Sequence, residues 1–265
     1  MPLRSIADLP SPDVRDAVAA NPVAVIPLGS IEQHGPHLPC GTDTFAAELV
    51  AKALAERIDA LYVPFGPYGV TPIHAGHPGT INLRRSTFEA LLTDICHELA
   101  DHGIHTVLLV NWHEGNNASM NAVATELQDQ RDLTFVAVQA CYTAQRLYEP
   151  EGGELTHGGG IETLAVMAHD PELVRTERVG APTRPADAHE MDAMRRSHEI
   201  YGFVTDVTAL ADDGWYGEPS WASADRAETF ADDVAAATLE RVQMILDLQT
   251  RRRASRPTTG EPRHE

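Results

Sequence analysis

The strongest constraint in this chain is a pattern that occurs twice: a short β-branched apolar run stops abruptly, a polar loop follows, and apolar residues then recur at helical spacing. Val23 to Leu28 (VAVIPL) stops at Gly29, and beyond the loop Phe45, Leu49, Val50, Ala53, Leu54 and Ile58 share one helical stripe. Thr106 to Val110 (TVLLV) breaks into NWHEGNN before Met120, Val123, Ala124 and Leu127 repeat the helical period. Runs that are apolar at every position suit strands buried on both faces. Between the two units, Ser86 is placed to cap a helix carrying Phe88, Leu91, Leu92, Ile95 and Leu99, with Gly103 at its end. Phe135 to Val138 reads as another strand, and Ile161 to Ala168 as a short helix closed by Asp170-Pro171. Residues 176–200 read as a polar crossing loop, and Phe230, Val234, Thr238, Val242 and Ile245 as the stripe of a final helix. The alternation predicts an α/β fold, a three-layer α/β/α sandwich with a mostly parallel central sheet. Ligands of such sheets sit beyond the carboxyl ends of the strands, which directs attention to the loops after Leu28 and Val110.

Composition narrows the classes. With 265 residues and 43% apolar content, a single domain over residues 1–250 is expected. No apolar run approaches the roughly 18 residues of a membrane span, and no signal core opens the chain, so a cytoplasmic protein without a membrane partner is expected. Cys40, Cys96 and Cys141 lack CxxC spacing, which argues against a thiolate zinc site or a disulfide framework. A formal net charge of −19 repels phosphate backbones and excludes nucleic acid as a natural partner. The Arg-rich segment 251–265 has almost no large apolar residue and is expected to be a disordered basic tail.

Candidate chemistry gathers in three segments. The loop G29-S-I-E-Q-H-G-P-H-L-P-C-G-T-D43 holds Glu32 and His34 two apart, on one side of an extended stretch, with Asp43 just before a helix. A carboxylate and an imidazole so placed can reach one ion or two adjacent ones, and Asp43 can bridge them. Taken singly, Asp43 reads first as a helix cap and His34 as a loop histidine; three ligand types within twelve positions turn the reading to a metal site. N111-W-H-E-G-N-N117 supplies His113 and Glu114, of which one ligates and the other serves in support or proton transfer. In T156-H-G-G-G-I-E-T163, His157 and Glu162 flank a glycine turn that lets backbone approach a substrate, although Glu162 also suits a helix N-terminus. His74 and His77 are candidates for substrate contact or plain loop structure, and Trp112 for a pocket wall or packing. Trp215, Tyr216 and Trp221 form a further aromatic group with no assigned role.

P27-L-G-S-I-E-Q-H-G-P-H-L-P-C-G-T-D43 resembles the signature of the creatininase (creatinine amidohydrolase) family, and NWHEGN at 111–116 resembles its NGHxxN block. HPGTINL at 77–83, HGGGIET at 157–163 and GWYGEP at 214–219 follow in family order. The resemblance, over roughly residues 20–245, implies two divalent metal ions per chain, zinc, manganese or iron. It implies that Glu32, Asp43 and His113 hold one ion and that His34 and Asp43 hold the other. Gly115 stands where creatininase has a glutamate ligand of the second ion, so Glu162, or the displaced Glu114, is expected to complete that sphere. Gly160 departs from the many relatives that carry a glutamate there. The implied activity is hydrolysis of an amide-type C–N bond in a small molecule such as a cyclic amide or formamide, using a metal-activated water. His157 and Glu114 are implied as catalytic, Glu162 as a second candidate relay, and Trp112, His74 and His77 as substrate contacts. A homohexamer is also implied. The alternatives are a hydrolase or lyase of a cyclic keto-sugar such as an inosose, and a metal-binding assembly protein without turnover.

Overall fold

Strands fall where the apolar runs stand. The computed structural model describes residues 2–131, 133–152, 155–183, 188–197 and 199–254. Among these, Arg4–Ser5 (β1), Val23–Leu28 (β2), Leu61–Tyr62 (β3), Thr106–Asn111 (β4) and Thr134–Gln139 (β5) form one sheet in the order β1-β3-β2-β4-β5. Every pairing is parallel. The helices are Ser11–Ala20 (α1), Thr42–Ile58 (α2), Arg85–Asp101 (α3), Asn117–Gln130 (α4), Ala140–Gly152 (α5), Gly160–His169 (α6), Ala188–Ser197 (α7), Ala224–Ala227 (α8) and Phe230–Ala254 (α9).

Alternate residues of the two long central strands serve opposite cores. Val25, Leu108 and Val110 join residues of α2, α5, α6 and α9 on one face. Ala24, Ile26, Leu28, Val107 and Leu109 join residues of α1, α3 and α4 on the other, which makes the three-layer sandwich. Pro27 sits inside β2 without breaking the sheet: the Val25 carbonyl accepts from Val63 on the β3 side, and β3 pairs only with Ala24 and Val25. The missing N–H of Pro27 therefore faces an edge where no ladder continues.

Chain order fixes where a ligand can sit. From β2 the chain crosses to β3 on one side, then returns past β2 to β4 on the other, so the connections part between β2 and β4. Loops leaving the carboxyl ends of these two strands diverge from the sheet there and leave a crevice between them. Gly29 shapes the first loop. A Cβ on it would lie 2.4 Å from the Thr44 Cα and 2.8 Å from the Asp43 carbonyl carbon, so the loop runs directly against the start of α2.

Three expectations change, and one helix is added. Helix α3 begins at Arg85 with Arg84 as its N-cap, because the Arg84 carbonyl already accepts from Thr87 and Phe88; Ser86 lies inside the first turn and caps nothing. Residues 176–200 are not a plain crossing loop: they hold a 3-10 turn at Thr176–Arg178 and α7. Among the described residues, the inward side of α7 buries Asp192 and only the small Ala188 beside it, so no apolar stripe announced it. Helix α5 buries Ala140, Cys141 and Ala144, small residues that give a weak periodic signal. Finally, α9 takes in residues 251–254 of the expected tail, and 255–265 lie outside the described residues. Among the described residues no helix is long and apolar enough to cross a membrane.

Substituting Gly29→Ala is expected to destabilise the fold by about 1–3 kcal/mol in urea unfolding, because backbone must move to admit the methyl group. Gly76→Ala, where nothing lies within 4 Å of the added Cβ, is expected to be near neutral in the same measurement.

Candidate metal centre

Seven side chains from six places in the chain meet in the crevice. Glu32 and His34 come from the loop after β2, which the Glu32 N–H ties to the Cys40 carbonyl at 2.9 Å. Asp43 stands in the first turn of α2, His74 in the loop before α3, His113 just beyond β4, His157 in the glycine loop, and Glu162 in the first turn of α6. All but the partly buried His157 are buried. Asp43 is central. Its Oδ1 lies 3.2 Å from His34 Nε2 and its Oδ2 lies 3.0 Å from His113 Nδ1. Glu32 Oε2 is 3.3 Å from His113 Nδ1, and Glu162 Oε2 is 3.7 Å from His34 Nε2. The ligand atoms form two tripods with Asp43 in both: Glu32, Asp43 and His113, and His34, Asp43 and Glu162. In each, the three atoms lie within 4.8 Å of one another. A third group of the same dimension joins Glu32, His34 and His157.

Backbone carbonyls set the faces of the imidazoles. His34 Nδ1–H donates to the Glu32 carbonyl (3.0 Å), turning Nε2 inward, and His113 Nε2–H donates to the Val70 carbonyl (3.0 Å), turning Nδ1 inward. His157 Nε2–H donates to the Gln33 carbonyl (2.6 Å), which leaves its Nδ1 facing Glu32 Oε1 at 3.9 Å. The Gln33 side chain donates to His74 Nδ1 (3.1 Å) and engages the Gly214 carbonyl, while its Oε1 accepts from the Gly35 N–H (2.9 Å). Sequence reading passed over Gln33; its place between two candidate ligands was the available signal. Asn116 is a second omission from the site. Its amide donates to the Gly29 carbonyl (3.0 Å) and accepts from the Val70 N–H (3.0 Å), joining the loops that carry the ligands.

Burial alone would push His34 down, but Asp43, then Glu162 and Glu32, carry it up to about 10. Burial likewise opposes the proton on His113, and Glu32 and Asp43 raise it to about 9. Burial pushes Glu162 up to about 7 against the pull of His34, with Asp43 and Glu32 adding to the rise. Burial would also raise Asp43, but His34 and His113 hold it well below the carboxylate range. Burial, then His34 and His74, keeps His157 neutral. Three buried carboxylates thus depend on imidazole protons for compensation, and Glu32 Oε2 is buried with no hydrogen-bond partner. Divalent ions in the two tripods would supply that positive charge, and nitrogen with carboxylate oxygen suits zinc, manganese or iron alike.

The other candidates divide. His74 lies beside the cluster with Nε2 3.5 Å from Glu32 Oε1, and Trp112, 2% exposed, forms part of the wall of a cavity of about 380 Å³ open to the centre. His77 does not reach that cavity; it lines a separate depression with Gln33 and Trp215. Glu114 faces the main cavity but stands outside the tripods: its carboxylate accepts from the Tyr142 hydroxyl (2.5 Å) and pairs with Arg195. Both glycine departures are steric. A Cβ at Gly115 would meet the Val70 carbonyl at 2.1 Å and His113 Nε2 at 2.4 Å; one at Gly160 would meet the Glu218 carbonyl at 2.8 Å. Trp215 is buried and packs the loops together: its ring fills the space beside Gly35 and its Cβ lies against Gly158, which joins the first and third loops.

Comparison with known proteins gives a consistent picture. The family described as creatininase, creatinine amidohydrolase, matches residues 7–242. The mycofactocin precursor peptide peptidase of Mycolicibacterium smegmatis is 29% identical over 229 residues, 84% of this chain and 85% of that protein. The creatinine amidohydrolase of Pseudomonas putida is 32% identical over 201 residues, 67% of this chain and 77% of that one. A crystal structure of creatininase superposes with a TM-score of 0.74 at 26% identity, covering 91% of this chain and 96% of the other. Solved creatininases described as manganese and Zn-Zn forms are also similar.

The raised histidines predict opposite pH behaviour without and with metal. In the metal-free protein, His34 and His113 contribute stability fully below their unfolded value of 6.5, and lose it as pH rises through about 9 to 10. The thermal midpoint of chelator-treated protein is therefore expected to fall between pH 7 and pH 10. Added zinc or manganese, which replaces those protons, is expected to raise the midpoint and abolish that fall.

Proposed function

Because the chain belongs to the creatininase family, we propose that it hydrolyses an amide-type C–N bond of a small molecule with two divalent ions held in tripods that share Asp43. One observation carries the reading: the two oxygens of a single buried carboxylate face two separate imidazoles, at 3.2 and 3.0 Å. Glu32, Asp43 and His113 would hold one ion, and His34, Asp43 and Glu162 the other. A pair of such ions lowers the pKa of a water and polarises a carbonyl, which is the chemistry that amide hydrolysis at neutral pH requires.

The chain supplies positioning and proton transfer. His157 is neutral, and its Nε2–H is anchored on the Gln33 carbonyl, so its free Nδ1 takes a proton from the attacking water and returns it to the leaving nitrogen. His74 stacks on His157 with ring centroids 4.3 Å apart, which holds that ring in place. Glu162, as a ligand, is withdrawn from proton relay, and Glu114, paired with Arg195 and Tyr142, shapes the substrate wall. Trp112 and the apolar residues Ile73, Val207 and Leu210 line the cavity and limit water around the scissile bond.

The variant Asp43→Asn is expected to abolish both metal loading and turnover, since it weakens both tripods; full activity in that variant would overturn the dinuclear reading. Glu162→Gln is expected to lose one of two ions by elemental analysis and to lower kcat at least a hundredfold, by the loss of several kcal/mol of charge stabilisation. Creatinine, formamides, small lactams and inososes form the substrate panel. Incorporation of solvent oxygen from labelled water into the product separates hydrolysis from lyase or isomerase chemistry.

A further inference from the structure

Once the tripods are set aside, the remaining charge on the cavity wall has the opposite sign to the chain. Lys and Arg number 20 against 39 Asp and Glu overall. Four carboxylates line the cavity, and three of them, Glu32, Asp43 and Glu162, belong to the tripods. What is left among the described residues is Glu114 against two guanidinium groups, Arg85 and Arg195.

Arg195 is held there by a buried support. Asp192, 6% exposed, accepts from Arg195 Nε (3.2 Å) and Nη2 (2.7 Å) through Oδ1, and from the Tyr216 hydroxyl (3.0 Å) through Oδ2. Nη1 donates to Glu114, the residue next to the proposed ligand His113. A guanidinium has five N–H donors; these three contacts leave two without an acceptor among the described residues. A planar fork, fixed on one edge by Asp192, shared at Nη1 with Glu114 and with two N–H groups still open, matches a carboxylate better than any neutral group. Arg85, exposed at the start of α3 and without an ion pair among the described residues, adds a second positive charge to the same cavity.

We propose that Arg195, with Arg85 in support, receives a carboxylate on the substrate, so that the protein acts on acidic amides of the N-acyl amino acid type. This inference rests on the hydrolase reading for the reaction, but not for the binding. Glu114 holds the Arg195 fork in the absence of substrate, and the incoming carboxylate takes up the open donors and competes with Glu114 for Nη1. Apolar residues lining the same cavity, Val207 and Leu210 among them, suit an aliphatic side chain on such a substrate.

The test is calorimetry on the metal-loaded full chain with N-acetyl-L-leucine and its neutral primary amide. The acid is expected to bind roughly ten- to a hundredfold more tightly than the amide, the range for charge-assisted hydrogen bonds. Arg195→Gln is expected to erase that preference with the metal content unchanged. Equal binding of acid and amide by the unaltered protein overturns the proposal, as does a preference that persists in Arg195→Gln, which would place the carboxylate on the metals. Should that variant fail to fold, Glu114→Gln removes the competitor: tighter acid binding with unchanged amide binding supports the proposal, and unchanged or weaker acid binding overturns it. Acid preference without hydrolysis of any amide would defeat the hydrolase reading alone, whereas turnover without acid preference would defeat this inference alone.

Discussion

Asp43 is a buried carboxylate that must serve two imidazoles at once, and the surrounding architecture follows from that requirement. Burial in a region of low dielectric would protonate it, yet His34, His113 and the Ser30 hydroxyl at 2.8 Å keep it charged and oriented. Glu32 and Glu162 bring further negative charge to the same volume. A cluster of this kind is tolerable only if cations or protons balance it, since an uncompensated buried charge is among the most destabilising features a fold can carry. The site therefore calls for positive charge, which protons on the histidines supply and which divalent ions would supply under the proposed function.

Holding seven side chains in place falls to the backbone around them. Asn116 ties the loop after β2 to the segment at Val70, and Trp215 fills the gap between the turns at Gly35 and Gly158. Glycines at 29, 115 and 160 let the backbone approach to distances no side chain allows. Each close approach aims a neighbour: Gly29 aims Asp43, Gly115 leaves space for the His113 ring, and Gly160 seats the helix that presents Glu162. The carbonyls of Glu32, Gln33 and Val70 then choose the nitrogen each histidine turns inward. The substrate wall is built differently, from α7 and the segment that follows, whose buried side carries Asp192 and Arg195 in place of an apolar stripe.

The sheet and the ligand loops were legible because their signals are local. Uniformly apolar runs ending at Gly29 and Asn111 mark buried parallel strands, and their loops could only meet at the crevice between them. The pairing of Glu162 with His34 was within reach of the family resemblance but not of spacing, because 128 positions separate the two residues in the sequence. What spacing could not convey was orientation. His77 sits in the same motif-rich loop as His74 yet lies behind Gln33, outside the main cavity. Glu114 adjoins a candidate ligand, but its side chain is drawn away by Arg195 and Tyr142, partners that lie far along the chain. Helix α7 was hidden for a related reason: its inward residues bind one another through charge, and a hydrophobic period never forms.

The central claim is that one carboxylate bridges two metal ions. Anomalous diffraction from crystals grown with manganese or zinc measures this directly. The account predicts two peaks on either side of Asp43, one within coordination distance of Glu32 and His113, the other within coordination distance of His34 and Glu162. A single peak, or two peaks of which neither has Asp43 in its sphere, would contradict it.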